Sequence, residues 1–515
     1  MFLSTARAPA RWSARRLSYR AFQQRWASNS KINKSRDRFS VLAGRGVSKQ
    51  SVLDCVASTD KTPSGSPTPD ASAILVSRDL ARWLDDTDFM SALLQQLHPE
   101  AIGSGQDLSV LTAVVDGLCP RSRGGSASSG LSILQGDATT ILPGLWSGGD
   151  SNAPLRLDAR PALSVRLSPL LGDFRPVDVT LPVANTVFQN GRPFTLLASR
   201  WRAGGAGTSP IGSPALVDAF EKEEQIIVAS TEGSIQSHAD VSVSLFPLTV
   251  PRRITAGLGN IVRQVEAAGG PEEQPQPASL ELEAAMHDII ATRSRLLPEV
   301  PVPNRAWALV VPPNSPSLEY FVKFPVFLDS TIESEHQRAD AFARHFSKVL
   351  ADGGRLHRVL SGGGGWGLKR GLLAIDPETT YCSVSESRDL ENFIASFGGE
   401  VTADSVIALG SYILFLVEPM PLPSICSGNE VSQNLPSLVF GTAPAQIASD
   451  EETEHAPLPA QLAAGHFGAL SSIGAFLRLE SGAGSEAARG SRPHTTLTKV
   501  DVPDSYVWQG ASRWI

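Results

Sequence analysis

The stretch Val187–Trp201, with the sequence VFQNGRPFTLLASRW, carries the strongest local structural signal in this chain. Asn190–Gly191 separates two runs that are rich in apolar residues. Asn-Gly is the preferred pair for a type I′ hairpin turn, because both residues tolerate a positive φ angle. The stretch therefore predicts a β-hairpin with this pair at its turn. The arginines in this stretch and directly after it are expected on the solvated face, with a ligand site as the alternative; they are Arg192, Arg200 and Arg202.

Segments on both sides of this stretch alternate between strand-like and helix-like patterns. Ala73–Ser77 is a short apolar run typical of a strand, and Asp86–Leu97 places its apolar residues at helical spacing, with Asp88 as the expected N-cap. Ser279–Leu297 and Glu335–Leu350 are amphipathic and predict two longer helices. This order predicts an α/β (or α+β) fold, with mixed sheets and flanking helices.

Further elements are predicted in the second half of the chain. Ala306–Val311, Leu318–Phe327 and Val406–Val417 predict strands, and Asp389–Phe397 predicts a short helix. The longest apolar run is Val406–Val417, which is shorter than the roughly 20 residues that a membrane-spanning helix needs. The sequence therefore predicts a soluble protein without a transmembrane span.

Positive charge is concentrated at the N-terminus. Residues 1–50 contain 12 Lys or Arg residues and one acid, Asp37, whereas the remaining 33 basic and 51 acidic residues give a net charge of −18. An Arg-rich, acid-free start with spaced apolar residues is typical of a mitochondrial transit peptide, and a basic arm that binds nucleic acid is the alternative. We expect residues 1–30 to direct the protein to the mitochondrial matrix. Generic nucleic-acid binding is not expected, because the acidic remainder repels a phosphate backbone.

Composition divides the remaining chain into four segments. Residues 31–72 are polar and end in a Ser/Thr/Pro-rich stretch, which predicts a linker. Residues 73–250 and 251–420 contain most of the predicted strands and helices. Residues 421–515 are rich in Ser, Pro and Ala and predict an irregular C-terminal extension.

Metal and disulfide chemistry has little sequence support. Four scattered cysteines contain no CxxC pair and predict no disulfide framework; they are Cys55, Cys119, Cys382 and Cys426. Three potential ligands recur on one predicted helix, opposite its apolar stripe, which favours a solvated face over a metal site; they are Glu333, His336 and Asp340.

Several segments resemble the FIST domain family, named for F-box and intracellular signal transduction proteins. AILVSRDL, which begins at Ala73, and the helix that follows it resemble the first strand–helix unit of the family, and VFQNGRPFTLL resembles its recurring hairpin. RRITAGLGNIVRQV and PASLELEAAM, which begin at Arg252 and Pro277, resemble its central junction, and LLAIDPETT resembles a later strand that ends in Asp-Pro. The resemblance covers roughly residues 73–420 and implies two FIST-like halves, an N-terminal-like half at residues 73–250 and a C-terminal-like half at residues 251–420. It implies an α/β sensory domain that binds a small ligand, such as an amino acid, and is not an enzyme.

A run of glycines is the candidate ligand site, because backbone N–H groups of a glycine-rich loop can cradle an anion. Its residues are Gly362, Gly363, Gly364, Gly365, Trp366 and Gly367. A Walker A motif does not fit, since Lys369 is displaced by one position and no Ser or Thr follows it. A dinucleotide motif does not fit either, since the following residues predict a strand. A tight structural turn is the alternative.

These observations favour a non-enzymatic mitochondrial protein that senses a small, amino-acid-like ligand or acts as a scaffold. One alternative is a nucleotide-binding protein or enzyme that uses the Gly362–Gly367 loop. Another is a subunit or assembly factor of a mitochondrial complex. The sequence predicts no catalytic residue, no metal and no cofactor.

Overall fold

β-Strands form most of the regular structure in the residues that this computed structural model describes. Those residues are 38–43, 46–59, 68–118, 127–147, 160–168, 176–203, 213–229, 238–270, 272–296, 305–323, 332–362, 371–381, 407–420, 437–443, 460–480 and 495–510. All of them belong to one structural unit that spans Arg36–Ile515.

The strands and helices are numbered separately in chain order. The strands are β1 Arg38–Ala43, β2 Ala71–Ser77, β3 Leu108–Val115, β4 Ser129–Gly136, β5 Ala162–Leu167, β6 Val177–Pro182, β7 Leu196–Ala203, β8 Pro214–Glu221, β9 Glu224–Val228, β10 Ala239–Ser242, β11 Phe246–Pro247, β12 Arg252–Leu258, β13 Ile261–Val265, β14 Gln276–Pro277, β15 Ala306–Val311, β16 Arg355–Gly362, β17 Leu373–Ile375, β18 Tyr412–Val417, β19 Leu438–Thr442, β20 Gln461–Ala464, β21 Phe467–Ser471, β22 Ala475–Glu480, β23 Thr495–Val500 and β24 Tyr506–Gln509. The α-helices are α1 Lys49–Ala57, α2 Thr87–Leu97, α3 Pro99–Gly103, α4 Ala138–Ile141, α5 Val187–Asn190, α6 Ala278–Leu296, α7 Leu318–Val322 and α8 Ile332–Ala351, and a 3₁₀ helix spans Arg78–Asp85.

A seven-stranded mixed sheet has the order β20-β1-β4-β2-β3-β7-β8. β2 and β3 run parallel, and the other pairings in this sheet are antiparallel. Every residue of β2 is buried, because helices α1 to α3 cover one face of the sheet and a central core covers the other. The helix α2 begins after Asp86, whose side chain accepts from the backbone N–H groups of Asp88 and Phe89. Asp86 is therefore the N-cap, two residues before the predicted Asp88.

Six antiparallel strands pair into a closed ring, in the order β12-β13-β17-β16-β15-β18 and back to β12. Alternate residues of β15 divide between two cores, as the two-residue period of a strand requires. Ala308 and Val310 share a core with Leu282 of α6, whereas Trp307 and Leu309 share the central core with α8. The ring is thus held between the two longest described helices.

Two smaller sheets complete the structure, with the orders β23-β22-β6-β5-β9 and β10-β24-β19-β21. Each contains one parallel pair, β5 with β9 and β19 with β21, so both are mixed. The predicted α/β (or α+β) class with mixed sheets and flanking helices is confirmed. No helix of the described ranges is long and apolar enough to cross a membrane.

The predicted C-terminal extension is wrong for the described residues after position 421, because they form strands of three sheets. β20 pairs with β1, β22 with β6, and β24 with β10. The predicted linker is also wrong in part, since β1 and α1 lie within residues 31–72 and pack into the fold. Such short strands and helices lie between polar segments. Their sequences look like loops, because the elements that they pack against are far away in the chain.

The predicted hairpin at Asn190–Gly191 is wrong as well. Val187–Asn190 forms one helical turn, and Gly191 ends it with a φ of 79°. The Asn190 side chain accepts from the Arg192 N–H at 3.2 Å and donates to Thr195 Oγ1 at 3.0 Å. Asn-Gly suits a helix end as well as a hairpin, because glycine readily takes the left-handed position there.

Two other strand predictions need correction. Leu318–Val322 is a helix rather than the start of a strand, since a short apolar run does not distinguish the two by its period. The strand predicted at Val406–Val417 begins only at Tyr412, after a turn at Gly410 with a φ of 86°. The helix predicted at Asp389–Phe397 lies outside the described residues.

Candidate functional site

The candidate glycine run begins at the end of β16. Gly362 is the last residue of that strand and pairs with Leu373 of β17. A Cβ atom on Gly362 would lie 3.2 Å from the Leu373 side chain and 3.6 Å from Ser279 Cβ. Gly363, Gly364, Gly365, Trp366 and Gly367 lie outside the described residues. The described end of the run therefore contacts the first turn of α6.

Gly371 lies against the same helical turn. Its carbonyl oxygen accepts from the Ser279 backbone N–H at 3.3 Å, and its φ is 84°. A Cβ atom on Gly371 would lie 2.4 Å from Pro277 Cβ, so only glycine fits there. Gly362 and Gly371 thus converge on Pro277–Ser279.

Local pairing fixes the start of α6. Gln276–Pro277 pairs with Gln264–Val265 of β13, and the helix begins at the next residue. The predicted helix begins at Ser279, and the observed one begins one residue earlier, so Ser279 is the second helical residue. Ser279 is 0% exposed, and its hydroxyl has no hydrogen-bond partner. An unsatisfied buried hydroxyl costs about 1–3 kcal/mol, so it is an unusual feature that calls for an explanation.

Charge next to this turn is balanced. Glu281 in the first turn of α6 accepts from Arg252 of β12 through two hydrogen bonds, at 2.9 and 3.1 Å. The pair neutralises the acid that would otherwise oppose an anion at the helix N-terminus. α6 is 19 residues long, and at its N-terminus the backbone N–H of Ser279 already donates to the Gly371 oxygen.

A second polar cluster joins the ends of four elements. Arg293 near the C-terminus of α6 is 1% exposed and donates two 3.0 Å hydrogen bonds to Glu335 near the start of α8. It also donates to the backbone oxygen of Glu418 at 2.6 Å, just after β18. Arg305, before β15, pairs with the Glu418 carboxylate at 3.0 Å, while burial raises the pKa of Glu418. Each charge of this cluster has a partner, which indicates a structural connection.

Three histidines are buried, and burial lowers the pKa of each to about 4. His98 Nδ1 donates to the Pro69 oxygen at 2.9 Å, so its Nε2 accepts from Ser72 at 2.7 Å. His357 Nδ1 donates to the Asp376 oxygen at 2.8 Å, which leaves Nε2 as a buried acceptor without a partner. These tautomers follow from the partners, because a carbonyl oxygen can only accept.

The third histidine forms a Ser–His pair. His466 Nδ1 lies 2.7 Å from Ser40 Oγ, which lies 2.8 Å from Ser132 Oγ. A Ser–His contact is one component of a nucleophilic site. All three side chains are buried in the core at 0–1% exposure, so a substrate would have no route to the hydroxyl. The pair is therefore a core hydrogen-bond network.

No group of three metal-ligating side chains occurs within the described ranges. His336 Nε2 donates to the Met420 oxygen at 2.7 Å and is half-buried, so its side of the helix is less solvated than predicted. The Glu333 side chain lies outside what the structure describes. Cys55 is half-buried, and burial raises the pKa of its thiol, which lowers its reactivity.

The three arginines after Asn190 are each engaged within the fold. Arg202 pairs with Asp107, and Arg192 lies 3.4 Å from Asp85. Arg200 stacks 4.4 Å from the centre of the Trp146 ring. These three arginines therefore do not form a common site.

No protein-family model matches the chain, and comparisons with curated proteins and with solved structures find no match. The FIST resemblance therefore rests on the sequence segments alone. The Ser279 hydroxyl between Gly362 and Gly371 is the most unusual polar feature near a predicted site residue. Sequence reasoning missed Ser279, because its burial and lack of a partner arise only when β13, β16 and α6 meet.

Proposed function

We propose that this protein is a non-enzymatic, FIST-like ligand-sensing or scaffold protein of the mitochondrial matrix. The observation that carries the ligand-binding part is the glycine run, whose described residue Gly362 lies against the first turn of α6. The FIST resemblance favours an amino-acid-like ligand, which brings a carboxylate to such a helix N-terminus.

A thermal-shift screen of the purified full chain against the common amino acids and related carboxylates tests this proposal. A ligand that binds the folded state raises the melting temperature in a concentration-dependent way. We expect at least one compound to do so. The ligand-sensing proposal is wrong if none changes the melting temperature at millimolar concentration.

The same helix N-terminus also suits phosphate, which keeps a nucleotide-binding protein or enzyme as the second candidate. ATP, GTP and NAD belong in the same screen. If this candidate is correct, Gly364→Val abolishes the nucleotide-dependent shift while the unliganded melting temperature remains close to that of the wild type. Absence of any nucleotide shift in the wild type rejects it.

Localisation is tested separately. The N-terminal 30 residues contain six arginines and no acid. We expect their deletion to leave the protein in the cytosol, since the positive amphipathic face drives import. Joint replacement of four of these residues by Gln is expected to have the same effect; they are Arg7, Arg11, Arg15 and Arg16. Continued import of both variants would reject the transit-peptide proposal.

A further inference from the structure

The three most exposed large aliphatic side chains of the residues that the structure describes lie on the outside of the strand ring. They are Leu258, Leu360 and Leu409, at 59%, 56% and 63% exposure. We propose that this side of the ring docks on an anionic lipid bilayer: the leucines enter the interface and neighbouring arginines bind lipid phosphates. We call it the leucine–arginine face; it consists of these leucines with Arg253, Arg263 and Arg358. The inference goes beyond ligand sensing and does not depend on it.

The strand register places two of the leucines on one side of the ring. Leu258 pairs with Ile261 across the turn between β12 and β13. Ile261 pairs with Ala374 of β17, and Ala374 pairs with the residue after Leu360 on β16. Neighbouring strands are about 4.8 Å apart, so roughly 14 Å separates the two leucines. Val262, the next residue on β13, lies in the core that the ring shares with α6, so Ile261 and its partners face outwards.

Leu409 reaches the same side from the turn before β18. The N–H of Gly410 donates to the Ile254 oxygen of β12 at 3.0 Å, so this turn runs beside β12. Leu258 lies at the tip of the β12–β13 hairpin, and Leu360 is the bulged residue between two pairs of β16 with β17. Each leucine therefore lies at a turn, a tip or a bulge, where a side chain can enter the headgroup region without rearrangement of the sheet.

Three exposed arginines surround these leucines. Arg253 lies beside the turn before β18, because a Cβ atom on Gly410 would lie 3.9 Å from its guanidinium. Arg263 is exposed on β13, and Arg358 is exposed two positions before the bulge on β16. None of the three has an ion pair or a side-chain hydrogen bond with any described residue. A guanidinium of this kind can bind two phosphate oxygens at once.

The charge of the face favours an anionic surface over a second copy of this chain. The acids on this side are few: Glu266 is half-buried after β13, and Asp376 is neutralised by Lys499 at 3.2 Å. A two-fold dimer through this face would bring the arginines of both copies together, which is unfavourable. A bilayer of anionic lipids offers phosphate for the arginines and apolar volume for the leucines. Since the chain after residue 50 is acidic, such a bilayer also repels its other faces.

The test is co-sedimentation with vesicles of phosphatidylcholine mixed with phosphatidylglycerol, against vesicles of phosphatidylcholine alone. The basic N-terminus can itself bind anionic lipid. The wild type and every variant are therefore made both as the full chain and without residues 1–30, which leaves every described residue in place. We expect both forms of the wild type to bind the anionic vesicles, and added salt to weaken this binding.

The first variant tests the charges and combines Arg253→Gln, Arg263→Gln and Arg358→Gln. Each basic residue near an anionic bilayer contributes about a fivefold factor to binding, so we expect the triple variant to bind on the order of a hundredfold more weakly. Its remaining binding should depend less on salt than that of the wild type.

The second variant tests the apolar contact and combines Leu258→Ser, Leu360→Ser and Leu409→Ser. We expect binding to weaken by at least about tenfold, because apolar insertion is lost while the charges remain. The matched control combines Phe188→Ser and Leu216→Ser, which change side chains that are 89% and 44% exposed elsewhere. This control should bind like the wild type, and all the variants should melt close to the wild-type temperature, because the altered side chains are exposed.

Three kinds of result would overturn the inference. The first is no binding of anionic vesicles by the chain without residues 1–30. The second is unchanged binding of either triple variant. The third is another occupant: light scattering that shows a dimer which the leucine variant converts to a monomer, or binding of poly-glutamate without binding of vesicles. These would assign the face to a second copy or to an acidic protein segment.

Discussion

Gly191 carries a backbone conformation that most residues avoid. Its φ is 79°, and no atom would lie within 4 Å of a Cβ atom added there. A larger residue at this position would therefore strain the backbone without a steric clash. We expect Gly191→Val to reduce the free energy of unfolding by about 1–2 kcal/mol or more, since a β-branched residue suits this region poorly. Gly191→Asn should cost less, because asparagine tolerates the left-handed region. Urea denaturation of both variants measures the difference, and equal midpoints would contradict the assignment.

Phe188 is 89% exposed on the adjacent helical turn, so the substitution at Gly191 does not act by uncovering this ring. The predicted hairpin would have buried Phe188 in a strand. A Phe188→Ser variant is the matched control, and we expect its unfolding midpoint to stay within error of the wild type, because an exposed ring has little burial to lose.

His98, His357 and His466 make stability depend on pH. Their folded pKa values of about 4 lie below the ordinary value of 6.5, so the unfolded chain binds more protons between these limits. Their contribution to the free energy of unfolding is fully present above pH 6.5. It is lost as the pH drops towards 4, by up to about 3 kcal/mol for each histidine. The raised pKa of Glu418 has the opposite effect on stability, because the folded state holds its proton more tightly than the unfolded chain does.

Unfolding midpoints between pH 4 and 7.5 measure this dependence. His98→Gln should reduce the slope over that range, although its midpoint at neutral pH will fall because His98 contacts Ser72 and Pro69. A wild-type midpoint that stays constant across the range would contradict the buried neutral histidines.

At the scale of elements, α6 and α8 depend on one buried ion pair. Arg293→Met would leave the Glu335 carboxylate buried without its cation, which costs about 3–5 kcal/mol. Arg293→Met combined with Glu335→Leu should recover part of this loss, because no isolated charge remains. The recovery is incomplete, since the Met420 N–H donates to Glu335 and loses its acceptor.

Arg202→Met is the control for this prediction. Arg202 pairs with Asp107 at the surface, where its side chain is 56% exposed, so the expected loss is much smaller than at Arg293. Guanidinium denaturation of the three variants gives the comparison. A loss at Arg293 no greater than that at Arg202 would show that the pair is not shielded from water.

Elements with a clear local pattern could be predicted from the sequence. Helix α6 follows from the spacing of Leu282, Met286 and Ile289, which all pack against the strand ring. The turn at Asn190 could not be predicted, because Asn190 and Gly191 fit both a hairpin turn and the end of a helix. Ser279 was beyond prediction, since its environment is formed by strands and a helix that are distant in sequence.

At the scale of the whole molecule, residues after 420 are required for the fold. A chain that stops at Met420 would lack β19 to β24. β1 and β6 would each lose one of two partner strands, and β10 would lose the one strand with which it pairs among the described residues. We expect this truncated chain to lack a cooperative thermal transition, because apolar strand edges and one side of the central core would be exposed. Deletion of residues 511–515 retains every described strand and should melt like the full chain. A cooperative transition of the 1–420 chain would contradict this dependence.

The pairing of Phe39 with Ala464 also governs the order of events while the chain is being made. β1 leaves the ribosome long before its partner β20 has been synthesised. Local helices and the β2–β3 pair can form early, whereas the outer edge of the seven-stranded sheet must wait for nearly the whole length. During that interval the first strand offers an unpaired edge to other chains. We therefore expect the nascent chain to be most prone to aggregation before β20 has been synthesised.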